Sequence, residues 1–330
     1  EASRLLYEYF LSRLKETSAQ QGVQQADSRL ISPAVIPQTP SAPRKTVIIA
    51  MSAILGFLAG AALLLLRELR NQAFRTSEQL EAMTGYAVFG QIPLIHKRGR
   101  KPVLNYIKDH PSSAVTEAVR NLRTSIMLSN VDTPPQVVLT CSAHPGEGKT
   151  VISMALAMNF GSMGKKVLLI EGDIRRRAFS LYFENKDHPG LVSILTNQIS
   201  VEDAVIRSDL LNADVLLGDM TQTNAADLFA STRFQDLLSN LRSHYDIIII
   251  DTPPVLLVPD ARLIAQHVDT RLLAVHWDHT NRAQVMAALQ QFESVGQPIN
   301  GLVLNQINPK GMQRYGYGSY YGVSSKYYNN

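Results

Sequence analysis

An uncharged run at residues 46–66 constrains this chain more than any other feature. It reads TVIIAMSAILGFLAGAALLLL, without one ionisable side chain. A helix rises about 1.5 Å per residue, so a run of this length spans the roughly 30 Å hydrocarbon layer of a bilayer. A buried helix of a large soluble core is the alternative, but an uninterrupted run flanked on both sides by basic residues fits it poorly. The run therefore predicts one transmembrane helix.

Basic residues are unequally distributed around this run, and their distribution predicts its orientation. Arg44 and Lys45 precede it, and a heavier positive load follows it: Arg67, Arg70, Arg75, Lys97, Arg98, Arg100 and Lys101. By the positive-inside tendency, the C-terminal part is expected to lie in the cytoplasm. The formal net charge of +4 is mild, and its clustering beside the apolar run favours a membrane surface as partner and argues against nucleic acid.

The flanks of the apolar run are predicted to be a helical region, a spacer and a linker. Apolar residues recur at helical spacing over residues 1–30, which predicts a helical region, and the pattern is already under way at Glu1, as expected of a fragment of a longer protein. Prolines recur every three or four residues in the spacer, residues 31–45, and favour an extended chain. Residues 67–111 are interpreted as a cytoplasmic juxtamembrane linker. Within it, a short strand-like stretch ends at Ile92 and Pro93.

Apolar strands alternate with amphipathic helices over residues 112–307. This alternation predicts an α/β fold of the P-loop NTPase type, with a parallel sheet covered by helices on both faces. The predicted strands cover residues 137–140, 167–170, 247–250, 272–275 and 302–304. The single cysteine, Cys141, excludes an internal disulfide and a cysteine-based metal site, and its position in a strand indicates a small apolar core residue.

The loop after the first of these strands reads AHPGEGKT and leads directly into a helix. Such a loop is typical of phosphate binding, because backbone N–H groups at a helix N-terminus surround the phosphate oxygens. Lys149 is expected on the β- and γ-phosphates of ATP, and the Thr150 hydroxyl on Mg²⁺. A chance match is disfavoured by the strand before and the helix after. The predicted nucleotide-binding residues of the loop are Ala143, Pro145, Gly146, Glu147, Gly148, Lys149 and Thr150.

Two further strands end in carboxylates. Glu171 and Asp173 follow one strand, and Asp251 follows another and precedes Thr-Pro-Pro. In an open α/β sheet, ligands lie at the carboxyl ends of the strands, so these acids should converge near the phosphates. Each acid alone is equally typical of a helix N-cap or a turn. Beside a phosphate loop, we expect them to serve Mg²⁺ or to act as a base. The predicted catalytic residues are Lys149, Glu171, Asp173 and Asp251, and the predicted metal ligands are Thr150, Asp173 and Asp251.

These motifs together resemble the bacterial tyrosine kinases joined to polysaccharide co-polymerases, of the Wzc/ExoP type. Lys149-Thr150, the Glu171-Gly-Asp173 motif and the Asp251-Thr-Pro-Pro254 motif match that family in order and spacing. The family's second motif usually reads Asp-x-Asp, so Glu171 is a departure that leaves its role open. The resemblance implies an ATP-dependent tyrosine autokinase of the bacterial inner membrane that regulates exopolysaccharide or capsule polymerisation and export. It also implies that residues 1–30 are the end of a periplasmic helical region. Its implied partners are a polysaccharide polymerase and export machinery and a cognate tyrosine phosphatase.

The resemblance also assigns roles to two sites away from the acids. Asn305 is similar to the residue that faces the adenine in related folds, although an asparagine that ends a strand is equally expected. Glu117, Arg120 and Arg123 share one side of a predicted helix. Surface charges of this kind are usually solvated and contribute little. In the family this motif is a subunit contact, which implies a homo-oligomeric ring.

Tyrosines crowd the tail, residues 308–330, with glycines between them. Their spacing fits neither a strand nor a helix, so the alternatives are a sticky low-complexity tail or a set of phosphoacceptors. The resemblance implies the second. The predicted acceptors are Tyr315, Tyr317, Tyr320, Tyr321, Tyr327 and Tyr328.

Two other classes of function remain open at this point. A structural chain-length regulator with a degenerate kinase is favoured by Glu171 alone. A partitioning-type P-loop ATPase would share the sheet and the loop, but the membrane run and the tyrosine tail argue against it.

Overall fold

A computed structural model describes residues 1–23, 31–36, 38, 42–70, 72–95, 101–130, 132–183, 188–219 and 224–314. The chain divides into two units, Glu1–Glu68 and Leu69–Asn330. The first unit contains α1 (Ala2–Val23), where the apolar spacing predicted a helix, and most of α2 (Lys45–Arg70). Within the proline-rich spacer, the described residues 31–36, 38 and 42–44 adopt neither helix nor strand.

Helix α2 has the properties that the apolar run predicted. The most apolar 18 residues within Lys45–Leu66 have a mean hydropathy of 2.5, and none of them is buried inside the structure. By length and composition the helix can cross a membrane. Its exposure does not fit the alternative of a buried core helix.

The second unit is built on an eight-stranded sheet. In chain order the strands are β1 (Val88–Pro93), β2 (Val137–Ser142), β3 (Val167–Glu171), β4 (Val205–Ser208), β5 (Ala213–Leu216), β6 (Ile247–Asp251), β7 (Thr270–His276) and β8 (Gly301–Ile307). Their order across the sheet is β1-β8-β7-β2-β6-β3-β5-β4, and every pairing is parallel except the antiparallel β4–β5 pair. Strands β2, β3 and β6 lie side by side at the centre.

Continuous apolar runs explain these central strands. Every residue of β2, β3 and β6 is buried, as expected where helices cover both faces of a parallel sheet. One face packs against α4 (Lys101–Asp109), α5 (Ala114–Leu128) and α6 (Lys149–Gly161). The other face packs against the remaining helices of the unit. These are α3 (Ser77–Thr84), α7 (Leu191–Leu195), α8 (Val201–Ala204), α9 (Ala225–Phe229), α10 (Thr232–His244), α11 (Asp260–Ile264), α12 (Arg282–Glu293) and α13 (Pro309–Arg314). The predicted fold class is confirmed.

The interpretation of residues 67–111 as a linker is wrong for most of that range. Strand β1 pairs in parallel with β8, from Val88 opposite Leu302 to Pro93 opposite Ile307. Phe74 and Leu80 are fully buried in the core. These contacts place the segment inside the α/β unit, so the predicted domain start at residue 112 is too late. Residues 96–100, which carry three of the basic residues counted above, lie outside the described residues.

Candidate active site

The phosphate loop, residues 143–150, joins the centre of the sheet to α6. Gly146 and Gly148 have φ values of 90° and 88°, in the left-handed region that favours glycine. Gly148 is the N-cap residue of α6, and a Cβ atom there would collide with the Asn305 amide. The loop therefore turns so that the backbone N–H groups at the start of α6 are presented to an anion.

Lys149 lies between two of the predicted acids. Its Nζ atom is 3.3 Å from Asp173 Oδ2 and 3.5 Å from Asp251 Oδ1, and the residue is 8% exposed. Burial by itself would lower the pKa of Lys149, but the carboxylates of Asp251 and Asp173 raise it above its ordinary value. The lysine therefore stays charged and neutralises this acidic pair.

Asp251 connects this cluster to Thr150. The Thr150 hydroxyl donates to Asp251 Oδ2 over 2.7 Å. Complete burial raises the pKa of Asp251, and the Lys149 charge and the Thr150 hydrogen bond oppose that shift. One hydroxyl and two carboxylates fit Mg²⁺, which usually takes few protein ligands and completes its shell with water and phosphate oxygens. Among the described residues, no group of three or more His, Cys, Asp or Glu side chains is placed to hold a metal.

The described hydrogen bonds of Glu171 are made to backbone N–H groups, and its catalytic role stays a prediction. Its two carboxylate oxygens accept hydrogen bonds from the backbone N–H groups of Phe179, at 2.6 Å, and Gly218, at 3.0 Å. Burial raises the pKa of Glu171 to about 7, although both backbone hydrogen bonds act in the opposite direction. In the described part of the chain, no hydrogen bond or ion pair joins Glu171 to Lys149 or Thr150. The Glu171 side chain therefore links two segments by hydrogen bonds, the one after β3 that contains Phe179 and the one after β5 that contains Gly218.

Residues from β8 hold the phosphate loop from the side. Asn305 Nδ2 donates to the Glu147 carbonyl over 2.8 Å, and Gln306 Nε2 donates to the Gly146 carbonyl over 2.8 Å. The Glu147 carboxylate accepts from the His144 N–H at 3.0 Å and from the Thr280 hydroxyl. Sequence reasoning missed Gln306 and Thr280. It predicted that Asn305 and Glu147 bind nucleotide, and it did not predict the hydrogen bonds that they make within the protein. The signal that could have identified Gln306 is its place beside Asn305, as the second of two adjacent amide side chains near the end of an apolar strand.

A cavity of about 290 Å³ opens beside the phosphate loop. Lys149 and Thr150 lie on its polar side, and apolar side chains from β1, α4 and α5 make up much of the rest. An apolar pocket with few polar groups suits an aromatic base next to bound phosphates. The lining includes Ile92, Val103, Ile107, Val115, Val119 and Asn305.

The predicted subunit-contact residues have partners within this chain. Arg120 forms an ion pair with Glu117, and Arg123 Nη1 donates to Asn159 Oδ1 over 2.7 Å. Their role between subunits stays a prediction. The tail tyrosines, from Tyr315 to Tyr328, lie outside the described residues.

Comparisons with known proteins match both units. A family model described as "AAA domain" matches residues 135–295, and one described as "G-rich domain on putative tyrosine kinase" matches residues 1–69. The solved kinase domain of VpsO is 32% identical, with 98% of it and 63% of this chain covered and a TM-score of 0.54. The chain belongs to the bacterial tyrosine kinases.

Other bacterial tyrosine kinases agree with this placement. The kinase domain of Etk from Escherichia coli is 29% identical, covers 72% of this chain with 96% of its own length, and has a TM-score of 0.66. Complete Etk from Escherichia coli is 29% identical over an alignment of 335 positions, which covers 96% of this chain and 46% of Etk. The chain thus spans less than half the length of this bacterial tyrosine kinase.

Proposed function

We propose that this chain is a membrane-anchored, ATP-dependent protein-tyrosine kinase that phosphorylates the tyrosine tail of a neighbouring copy. The observation that carries the proposal is the convergence of Lys149, Thr150, Asp173 and Asp251 at the carboxyl edge of β2, β3 and β6. A phosphate loop next to buried acids provides what phosphoryl transfer needs, which is positioning and charge stabilisation.

Nucleotide would bind with its phosphates on the backbone of residues 143–150 and its base in the apolar cavity. Thr150, Asp251 and Asp173 would hold Mg²⁺, which would neutralise charge on the transferred phosphate. Lys149 would exchange its contacts with the two carboxylates for the β- and γ-phosphates. The proton of the tyrosine hydroxyl would pass to an acid of this cluster. Both oxygens of Glu171 accept backbone N–H groups, and Asp173 Oδ1 accepts the Arg176 N–H.

The remaining parts of the chain supply location and regulation in this proposal. Helix α2 would anchor the protein in the inner membrane with the kinase unit in the cytoplasm. Glu117, Arg120 and Arg123 would join copies into a ring, so that a tail enters the neighbouring site. Each phosphate adds about −1.5 to −2 charge at neutral pH, and repulsion between phosphorylated tails would loosen the ring. That loosening would regulate the polysaccharide polymerase and export machinery until a phosphatase reverses it.

Mass spectrometry of the full chain in detergent, with and without ATP and Mg²⁺, tests this function. We expect phosphotyrosine on the tail of the wild type and none on Lys149→Met. Labelling of the variant would move catalysis away from this site. The backbone contacts of Glu171 favour one rival, a structural regulator with a degenerate kinase. Tight ATP binding without any phosphotyrosine would favour that rival.

A further inference from the structure

Glu147 is a buried acid inside the phosphate loop that faces neither Lys149 nor Thr150 in any described contact. It is 2% exposed, and its carboxylate accepts from the hydroxyl of Thr280, which is 1% exposed. The Thr280 oxygen also accepts the His276 N–H at 3.0 Å, so the hydroxyl proton is directed to Glu147. The acid therefore joins the phosphate loop to the loop between β7 and α12, residues 277–281, here called the β7–α12 loop.

The hydrogen-bond donors to Glu147 matter because a buried carboxylate loses its contact with water. Burial raises the pKa of Glu147 above its ordinary value, and the hydrogen bonds from Thr280 and His144 offset only part of that shift. A carboxylate in such surroundings is destabilised when it loses a hydrogen-bond donor. Each donor to Glu147 therefore helps to fix the conformation of the loop that would hold the phosphates.

The β7–α12 loop also reaches Glu147 by a second route. The Trp277 N–H donates to the Asn305 carbonyl over 2.9 Å, and Asn305 Nδ2 in turn donates to the Glu147 carbonyl over 2.8 Å. Glu147 is thus held at its side chain by Thr280 and at its backbone by Asn305. The Thr280 contact belongs to the β7–α12 loop itself, whereas Asn305 lies in β8 and contacts that loop through Trp277.

Residues 72–76 hold that loop from its other side. Trp277 Nε1 donates to the Arg75 carbonyl over 2.9 Å, and the Asp278 N–H donates to the Phe74 carbonyl over 2.9 Å. Arg75 Nε lies 2.7 Å from Asp278 Oδ1, both side chains being mostly buried. Residues 72–76 begin two positions after α2 ends at Arg70. The contacts therefore connect the chain that leaves α2 with the phosphate loop.

We infer that Glu147 and Thr280 are positioning residues for ATP, and that residues 72–76 belong to the support of the nucleotide site. The inference rests on the proposed nucleotide site, but not on tyrosine as the acceptor. A displacement of residues 72–76 would reach the phosphate loop through the β7–α12 loop.

Thr280→Val tests the first link, because valine keeps the branched shape and removes the hydroxyl. Without this donor the phosphate loop is held less firmly in one conformation, so we expect the Kd for ATP·Mg²⁺ to rise about tenfold or more. A fluorescent ATP analogue measures this on the full chain. Thr280→Ser should restore wild-type binding. Thr196→Val is the matched control, since the Thr196 hydroxyl bonds only to carbonyls of α7.

Asp278→Asn extends the test to the far end of the connection. Asp278 has a φ of 53°, which asparagine tolerates, so Asp278→Asn removes the ion pair with Arg75 and leaves the turn intact. We expect Asp278→Asn to raise the Kd for ATP severalfold while the rate at saturating ATP stays near the wild-type rate.

Trp277 is the single tryptophan of the chain and reports on the same loop. We expect ATP to change its emission in the wild type, and the change to shift to higher ATP concentration in Thr280→Val. Equal Kd values for Thr280→Val and Thr196→Val would overturn the inference. Equal weakness of Thr280→Val and Thr280→Ser would also overturn it, since packing rather than the hydroxyl would then be responsible. A wild type that binds no ATP would instead refute the proposed function, and this inference with it.

Discussion

Lys149→Met should separate two roles of this lysine, in catalysis and in stability. Lys149 neutralises Asp173 and Asp251, which are 2% and 0% exposed. Removing one partner of a buried ion pair costs about 3–5 kcal/mol, because the remaining charge is left buried and uncompensated. We therefore expect Lys149→Met to abolish phosphotyrosine and also to lower the free energy of unfolding by that amount at neutral pH.

The pH dependence of this loss has a definite sign. Burial already raises the pKa of Asp251, and without Lys149 that pKa rises further. A carboxyl group whose pKa is raised in the folded state destabilises the protein as pH increases towards that pKa. The deficit of Lys149→Met relative to the wild type should therefore shrink when the pH is lowered from about 7.5 to 5.5. Lys149 itself stays charged over this range, since its own pKa is raised.

Urea unfolding of the full chain, followed by Trp277 fluorescence, measures the effect on the kinase unit. Lys108→Met is the matched control, because Lys108 is exposed on α4 and such substitutions usually change stability by less than about 0.5 kcal/mol. Lys149→Met with Asp251→Asn should regain part of the lost stability without regaining phosphotyrosine. The reasoning is refuted if Lys149→Met unfolds at the wild-type urea concentration, or if the double variant is less stable than the single one.

Three further predictions concern Glu171, α5 and the tail. Burial raises the pKa of Glu171 to about 7, so folding favours its protonated form. As the pH rises from about 4.5 to 7, the free energy of unfolding of the wild type should therefore fall by up to about 3 kcal/mol relative to that of Glu171→Gln. Parallel pH profiles of unfolding for the two proteins would contradict this. Arg120→Ala with Arg123→Ala should keep ATP binding but reduce self-association and trans-phosphorylation together, and wild-type sedimentation would leave a solvated helix surface. ATP treatment should disperse the oligomer more at low salt than at high salt, where the Debye length falls below about 8 Å, and phenylalanine in place of every tail tyrosine should keep it assembled. Dissociation of that variant on addition of ATP would favour a nucleotide-driven ATPase.

The central part of the fold was predictable because its signals are local. The apolar runs of β2, β3 and β6 and the glycine-rich loop each identify their own structure over a few residues. The convergence of Lys149, Asp173 and Asp251 then follows from the parallel sheet, since the carboxyl ends of adjacent strands meet at one edge.

What the sequence did not predict depends on contacts between distant segments. Glu171 stands at the end of its strand, where the sequence pattern predicts an acid of the active site. Only the positions of Phe179 and Gly218 show that its oxygens accept hydrogen bonds from backbone N–H groups. Thr280 and Glu147 are far apart in the chain, and no spacing rule connects them. Strand β1 was interpreted as part of a linker because one short strand carries little periodicity, and its place in the sheet depends on its pairing with β8.

The pairing of β1 with β8 has a practical consequence for making a soluble form of this kinase. Every residue of β8 except Gln306 is buried, and β1 covers its otherwise open edge. A truncated protein that started at residue 112 would expose an apolar strand with unpaired N–H and C=O groups, which is a template for aggregation. A truncated protein that started at residue 72 would keep β1, the buried Phe74 and the cover of that edge.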